Sequence, residues 1–357
     1  MRRLVIAAIA ACLALPAASE EFNPPLEHMI VDYVRPAMAE FSKSSAMLPD
    51  AVSAVCSENK KAALTGFQEV FSETVRDFSR IHFLRFGPLV EEDRLSRLAF
   101  MPDPRGISMR QIRKIYAAQD PAVLSPETLR DKSVALQGLT ALQLIAFNKY
   151  GEVVLGDSEE TREFDCGYAS AIAVNVASIA NELNTEWADP KGYSSVLLSA
   201  GPDNERFRSS KEALETVFNA LVTGVIVMRD QDILPALGTS AEKAKPRRFP
   251  FSRSRNGVDY LSSELSGIRD AIHSMDLKPL MSESDTWVLD TLGFEFKNAQ
   301  SYLDKLTPPL RQTFGENGSY NLTAALAVTL GAIRDMMAQE VAGALELAGG
   351  FNALDGD

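Results

Sequence analysis

Residues 131–148, DKSVALQGLTALQLIAFN, are apolar on nearly every side when drawn as a helix. At about 100° per residue, the polar positions of this segment fall within about a third of the helix circumference. These positions are Ser133, Gln137, Thr140 and Gln143. A polar stripe on a buried helix must be satisfied by a neighbouring helix or by a wet cavity. Both interpretations remain open, and both predict that Thr140 and Gln143 face away from bulk solvent.

Apolar residues recur at helical spacing along almost the whole chain, and no segment has convincing strand alternation. Helices are predicted at 26–41 with a kink at Pro36, and at 50–56, 60–83, 109–118, 131–148, 159–187, 211–228, 258–274, 284–306 and 321–349. Predicted N-caps are Ser108, Ser125 and Ser209 or Ser210. A Pro/Gly-containing stretch at 189–202 divides the pattern into two parts. The sequence therefore predicts an all-α protein of two packed helical bundles, covering residues 20–196 and 197–357.

The first 19 residues have the pattern of a secretory signal peptide. Arg2 and Arg3 precede an apolar run, and small residues before Ser19 form a cleavage site. A lipoprotein site ending at Cys12 is the alternative, but it would leave a very short apolar run. We therefore expect export to the periplasm and a mature chain that begins near Glu20.

Removal of the leader leaves two cysteines, Cys56 and Cys166, of the three in the chain. Paired thiols oxidise readily in an exported protein, so a disulfide between these two is the simplest assignment. Metal binding by cysteine is not expected because there is no CxxC or Cys/His cluster.

The formal net charge of −12 argues against nucleic acid as a partner, since binding to it needs a basic face. No window after the leader offers about 20 uncharged apolar residues, so the mature chain is not expected to span a membrane. Basic residues do gather in the segment 238–256, which we interpret as a long ordered loop. They are Lys243, Lys245, Arg247, Arg248, Arg253 and Arg255. They form either a solvated face or a rim that contacts an anion or a partner.

Motifs for nucleophilic or phosphate chemistry are absent from the sequence: it contains no GxSxG, no P-loop and no GxGxxG. The three histidines lack partners at ligand spacing, apart from His28 and Asp32 four residues apart. Arg85 and Arg253 are the basic candidates for a cleft or ligand site. A buried arginine would need a carboxylate or an anionic ligand beside it, so a structural ion pair is the alternative for Arg85.

Four segments stand out in sequence order. They are IHFLRFGPLVEEDRLSRLAFMPDPRG at 81–106, GLTALQ at 138–143, DCGYASAIAVNVASIANEL at 165–183 and GGFNALDGD at 349–357. Together they resemble the imelysin-like family, also called peptidase family M75. The family carries a Gly-x-His-x-x-Glu motif at the second of these. Here the glycine is Gly138, but Thr140 occupies the histidine position and Gln143 occupies the glutamate position.

The resemblance implies an all-helical protein with two bundle-like domains, a cleft between them and a link to iron uptake. Iron association, and iron-uptake or envelope proteins as partners, rest on the resemblance alone, and no cofactor is predicted. Thr140 and Gln143 can form hydrogen bonds but cannot replace a His/Glu pair as metal ligands or as a general base. We therefore expect a binding or accessory protein rather than an enzyme. An M75-type metallopeptidase and an envelope structural module are the alternatives.

Overall fold

The computed structural model describes residues 21–58 and 60–348, and these form helices, short helical turns and loops. Within these residues the β-structure is a single isolated antiparallel bridge between Phe147 and Val153. The predicted all-α fold class is confirmed. The predicted leader at 1–19, including Cys12, and the tail at 349–357 lie outside the described residues.

The first half of the chain contains ten α-helices. They are α1 Asn23–Met29, α2 Arg35–Ala46, α3 Leu48–Glu58, α4 Lys61–Ile81, α5 Arg94–Leu98, α6 Ile107–Ala118, α7 Pro126–Arg130, α8 Gly138–Ala146, α9 Arg162–Ala188 and α10 Tyr193–Leu198. Helices α2, α3 and α4 pack against one another, and α9 packs against α2, α3 and α8. Helix α4 holds this group together because its apolar stripe is fully buried, including Phe67, Phe71, Val75 and Phe78.

The second half contains seven more α-helices in the described residues. They are α11 Ser210–Val227, α12 Leu234–Leu237, α13 Gly257–Ser274, α14 Trp287–Leu303, α15 Leu310–Thr313, α16 Ser319–Asp335 and α17 Ala342–Ala344. Helix α13 packs against α11 and α14, and it also packs along α4 of the first half. The buried apolar residues of both halves form one continuous core. The division at residue 196 stays a prediction.

The disulfide expected from the sequence is present. Cys56 at the end of α3 is bonded to Cys166 in the first turns of α9, and their Cα atoms are 5.9 Å apart. The bond closes a loop with a sequence separation of 110 residues. It therefore joins two helices that also pack directly against each other.

Three π-helical turns widen the longer helices, at Ile30–Val34, Met228–Ile233 and Met336–Val341. The first directly precedes Pro36, which has no backbone N–H to donate and whose ring crowds the preceding turn. The kink predicted at Pro36 therefore takes the form of a π turn. The third interrupts the helix predicted at 321–349.

The prediction of one continuous helix over 131–148 is wrong for the residues before Gly138. A 3₁₀ turn covers Val134–Leu136, Gln137 is extended at φ −118° and ψ 169°, and the α-helix begins at Gly138. The side-chain amide of Gln137 donates to the carbonyl oxygens of Arg130 and Lys132 at the end of α7. Gln137 therefore terminates one helix instead of continuing the next.

The predicted cap at Ser108 is also wrong. The carboxylate of Asp103 accepts hydrogen bonds from the backbone N–H groups of Ile107 (2.7 Å) and Ser108 (2.9 Å), so the loop before α6 supplies the cap. The caps predicted at Ser125 and Ser209 are present, with their hydroxyls accepting from Thr128 N and Glu212 N. Across the described ranges, no helix combines the length and apolar character needed to cross a bilayer.

Candidate functional site

Gly138 fixes the start of the short buried helix α8. Its φ is +73°, and a Cβ atom there would lie 2.2 Å from the carbonyl oxygen of Leu98. A side chain would therefore meet both backbone strain and a backbone clash. The glycine lets the chain pass against the end of α5 and enter α8 at an angle that carries Thr140 and Gln143 inward.

Thr140 and Gln143 lie on the same face of α8 and are 7% and 9% exposed. The hydroxyl of Thr140 accepts a hydrogen bond from the backbone N–H of Phe100 at 3.1 Å. The side-chain oxygen of Gln143 accepts from the Ser254 hydroxyl at 3.5 Å, a long bond. As expected, both side chains face away from bulk solvent. Of the four polar positions in the predicted stripe, only these two reach the pocket described next.

The two side chains form part of the wall of a pocket of about 450 Å³. The pocket lies between the loop that precedes α6, helix α8, the π turn at Met228–Ile233 and the loop that precedes α13. Its remaining lining residues are Phe100, Met101, Pro102, Asp103, Pro104, Gly106, Ser108, Met109, Leu144, Asp230, Gln231, Asp232, Pro235, Arg247, Arg248, Phe249, Pro250 and Phe251. The walls are mostly apolar and a few polar groups converge within them, which is the usual character of a small-molecule site.

A cluster of buried ionisable residues lies behind one wall of this pocket. Glu264 is 0% exposed and His82 is 3% exposed, and His82 Nδ1 lies 3.4 Å from Glu264 Oε1. The same nitrogen lies 3.2 Å from the hydroxyl of Tyr260. Asp232, 3% exposed, joins the cluster beside Glu264 and also reaches the pocket. The cluster therefore connects the pocket to the α4–α13 contact between the two halves.

The carboxyl groups of Asp232 and Glu264 interact, and each keeps its proton to a higher pH than a free carboxyl group does. Burial raises the pKa of Asp232 to about 7 and raises the pKa of Glu264 well above its usual range, where the charge on Asp232 adds to the effect. Asp232 Oδ2 and Glu264 Oε2 are buried and have no hydrogen-bond partner among the described residues. Two adjacent buried carboxyl groups cannot both remain charged, so Glu264 stays protonated.

Arg85 lies at the edge of the same cluster. Its Nη2 atom is 3.0 Å from His82 Nε2, and its charge lowers the pKa of both Asp232 and Glu264. Burial, followed by the charge of Arg85, holds the pKa of His82 well below its usual value, so the ring is neutral. Among the described residues no carboxylate forms an ion pair with Arg85, and its buried Nε has no hydrogen-bond partner, so the ligand role and the structural ion pair both stay predictions.

Arg253 lies outside the pocket and outside the buried cluster. Its Nε atom donates to the carbonyl oxygen of Phe147 at 2.6 Å, just beyond the end of α8. The neighbouring Ser254 carries the hydroxyl that bonds Gln143. Arg253 therefore fastens the basic loop to α8, and its candidate role in the cleft stays a prediction.

The sequence reasoning missed Asp232, Tyr260 and Glu264. One of them had a readable signal: Glu264 occupies the apolar stripe of α13, between Leu261 and Leu265. A charged residue on a buried stripe is a candidate for a paired or perturbed group. Asp232 had no such signal because the π turn at Met228–Ile233 sets the direction in which its side chain points.

His28 and Asp32, the other pair noted in the sequence, line a separate open groove of about 610 Å³ with His273 and Asp276. Across residues 21–58 and 60–348, no three histidine, cysteine, aspartate or glutamate side chains converge closely enough to bind a metal ion. The groove shares no lining residue with the pocket that contains Thr140 and Gln143.

The comparisons with known proteins agree with this fold. The family model described as imelysin matches residues 34–336, which is most of the chain. The chain belongs to the imelysin family. No curated protein matches it at a significant level.

Two solved structures resemble this imelysin-family protein over nearly their whole length. An imelysin-like protein from Psychrobacter arcticum 273-4 has a TM-score of 0.74 at 19% identity, over 93% of this chain and 98% of that one. A putative iron-regulated protein A precursor from Parabacteroides distasonis ATCC 8503 has a TM-score of 0.69 at 15% identity, over 89% and 96%. At these identities the likeness shows the fold.

Proposed function

We propose that this imelysin-family protein is a periplasmic binding or accessory protein linked to iron uptake, and that its pocket binds a ligand without cleaving it. The observation that carries the proposal is the chemistry of Thr140 and Gln143. They stand where the family motif has histidine and glutamate, and both are engaged as hydrogen-bond acceptors in the pocket wall.

Hydrolysis of a peptide needs an activated water or nucleophile, supplied by a metal, a tuned base or a triad. Thr140 and Gln143 bring a hydroxyl and an amide to this pocket. Its carboxyl groups are those of Asp103, which caps α6, Asp230, which pairs with Arg229, and Asp232, which lies beside Glu264. No three such groups of the described residues converge on a metal position. A hydroxyl and an amide are poor ligands for iron or zinc compared with histidine, cysteine or carboxylate. The residues present therefore do not fit a catalytic metal.

The iron-uptake part of the proposal is supported by family membership and by the description of the second structural relative as an iron-regulated protein. The periplasmic part is supported by the signal-peptide pattern at 1–19 and by the disulfide between Cys56 and Cys166. Partners of this kind are iron-uptake or envelope proteins.

A proteolysis assay tests the non-catalytic part. Purified protein is incubated with an unfolded polypeptide and with Zn²⁺ or Fe²⁺, and the polypeptide is expected to remain intact. Cleavage that a chelator abolishes, and that Gln143→Ala also abolishes, would restore the metallopeptidase alternative. Cleavage that persists in Gln143→Ala would indicate a contaminating protease, which repurification would remove.

Expression and fractionation test the remaining parts. Growth with and without iron should change the amount of the protein, whereas an envelope structural module would be made equally in both. Periplasmic material should yield a mature N-terminus near Glu20. A diacylated Cys12 would show that the lipoprotein alternative is correct.

A further inference from the structure

Three arginines without acidic partners gather beside the pocket mouth. Arg247 and Arg253 belong to two 3₁₀ turns of the basic loop, Pro246–Arg248 and Ser252–Ser254, and Arg311 belongs to α15. Helix α15 packs against both turns, and the rings of Phe249 and Phe314 pack with centroids 5.1 Å apart. The fold therefore brings together three positive charges that are 64 residues apart at their extremes in sequence (311 − 247).

Eight arginines elsewhere in the described residues form ion pairs with carboxylates. Arg80 pairs with Asp270 at 3.0 Å, and Arg94 pairs with Glu186 at 2.8 Å. Among the ion pairs of the described residues, none includes Arg247, Arg253 or Arg311. What distinguishes these three is that they lie together without an ion-pair partner, in a chain with a net charge of −12 whose acidic side chains outnumber its basic ones.

The carboxyl groups of the pocket lining are already engaged. Asp230 pairs with the guanidinium of Arg229, Asp103 caps α6, and Asp232 interacts with Glu264. Repulsion within the cluster is evident from two of its members. Burial and the charge of Arg311 lower the pKa of Arg253, and burial and the charge of Arg247 lower the pKa of Arg311. An anion bound between these groups would relieve this repulsion.

The terminal nitrogens of Arg253 are left without a hydrogen-bond partner among the described residues. Its Nε donates to Phe147 O at 2.6 Å, which fixes the side chain. The turn that carries Arg247 is fixed by the Ser252 hydroxyl, which donates to the Arg247 carbonyl oxygen at 2.9 Å. The guanidinium of Arg253 is therefore held by the backbone around it, and a guanidinium fork held in this way suits phosphate or carboxylate oxygens. For Arg247 it is the backbone, and not the exposed side chain, that is held.

We propose that Arg247, Arg253 and Arg311 form a binding site for a multiply charged oxyanion, carried by a small molecule with phosphate or carboxylate groups. Arg247 lines the pocket mouth as well, so an anionic group held there lies at the entrance to the apolar pocket. The site does not depend on the proposed function, because the arginine cluster stands whether or not the pocket retains a ligand.

Calorimetric titration of the full protein with inorganic phosphate, and separately with citrate, tests the site at constant ionic strength set with chloride. We expect saturable binding of at least one of these anions. Arg311→Gln and Arg247→Gln should each weaken it about tenfold or more, because each removes a charge-assisted hydrogen-bond donor. Arg311→Lys keeps the charge and should weaken it less.

Arg334→Gln is the matched control, since it removes the same charge from an arginine that is paired with Asp335 on α16. It should leave the affinity unchanged. Arg247 is exposed, so Arg247→Gln keeps the test valid if Arg311→Gln fails to fold. Absence of saturable binding to both anions would overturn the proposal, as would equal weakening by Arg334→Gln. A further test measures binding of the protein to vesicles of phosphatidylcholine with phosphatidylglycerol. Binding to these vesicles without binding to either free anion would also overturn the proposal.

Discussion

The Thr140 hydroxyl accepts a hydrogen bond from the backbone N–H of Phe100 at 3.1 Å, and this bond joins the buried helix α8 to the loop that precedes α6. Both residues line the pocket. The position at which the family motif has a histidine therefore serves here to hold one wall of the pocket in place.

Thr140→Val tests this bond because valine has nearly the same shape and lacks the hydroxyl. It leaves a largely sheltered backbone N–H without its partner, so we expect the free energy of unfolding to fall by about 1–2 kcal/mol. Thr140→Ser keeps the hydroxyl and should cost less. Urea denaturation measures both, and a valine variant at least as stable as the serine variant would contradict the assigned role.

Gly138→Ala should destabilise the protein strongly. The substitution adds the cost of a non-glycine residue at φ +73°, about 1 kcal/mol, to a clash with the Leu98 carbonyl oxygen that only a backbone shift can relieve. We expect a loss of more than about 2 kcal/mol in the free energy of unfolding.

Gly66→Ala is the matched control for that prediction. Gly66 lies within α4, and a Cβ there has open space around it. Alanine is the better helix former by about 0.8–1.0 kcal/mol, so this variant should be as stable as the natural protein or more stable. Thermal or urea unfolding measures both variants. If Gly138→Ala lowers the free energy of unfolding and Gly66→Ala does not, the loss at Gly138 comes from its positive φ and the clash, and not from replacing a glycine as such.

The raised pKa values of Asp232 and Glu264 predict a dependence of stability on pH. Both groups have a raised pKa in the folded state, so the folded protein binds more protons than the unfolded chain above about pH 4–4.5, where free carboxyl groups ionise. Their contribution to stability is fully present below that pH and is lost as the pH rises through the folded values, about 7 for Asp232. The slope is about 1.4 kcal/mol per pH unit for each extra proton bound.

Glu264→Gln replaces the protonated acid with a neutral amide of similar shape and should flatten this slope. The stability of the variant relative to the natural protein should therefore increase from pH 5 to pH 7. His82 acts in the opposite sense, because its lowered pKa costs stability as the pH falls below about 6.5, but this contribution is common to both proteins. Glu69→Gln, at an exposed site on α4, should leave the profile unchanged. Parallel curves for the natural protein and Glu264→Gln would disprove the raised pKa of Glu264.

Removal of the disulfide should lower stability by about 4–5 kcal/mol, the chain-entropy value for a loop of about 100 residues. The measurement compares the natural protein with the Cys56→Ser/Cys166→Ser double variant in urea. Titration of the unfolded, unreduced protein should find no free thiol among these two cysteines. Two free thiols would show that the bond does not form.

Sequence periodicity was sufficient to predict the long helices because their buried stripes are continuous, as in α4 with Phe67, Phe71 and Phe78. It failed at 131–148 because a run of apolar residues does not reveal a break made by a positive φ at Gly138. The capping error at Ser108 has a similar cause. Asp103 reaches the helix from four and five residues away, through a loop shape that no local pattern encodes.

The pocket wall at Thr140 and Gln143 could be predicted because a polar pair on an otherwise apolar helix must find partners. The buried cluster could not, because His82, Asp232 and Glu264 meet only through the packing of α4 against α13 and through the path of the chain near Met228–Ile233. Contacts at sequence separations such as the 182 residues between His82 and Glu264 lie beyond any local pattern.

The π turn at Met228–Ile233 has a consequence for how this region tolerates changes in length. Such a turn holds one residue more than an α-helical turn, so the helix before it and the helix after it differ in register by about 100°. Deletion of a single residue between Met228 and Ile233 would restore regular α-helical winding and leave the flanking helices connected. The same deletion would swing Asp232 away from Glu264, so Glu264 would lose the carboxyl neighbour that helps to raise its pKa while the fold around it remained.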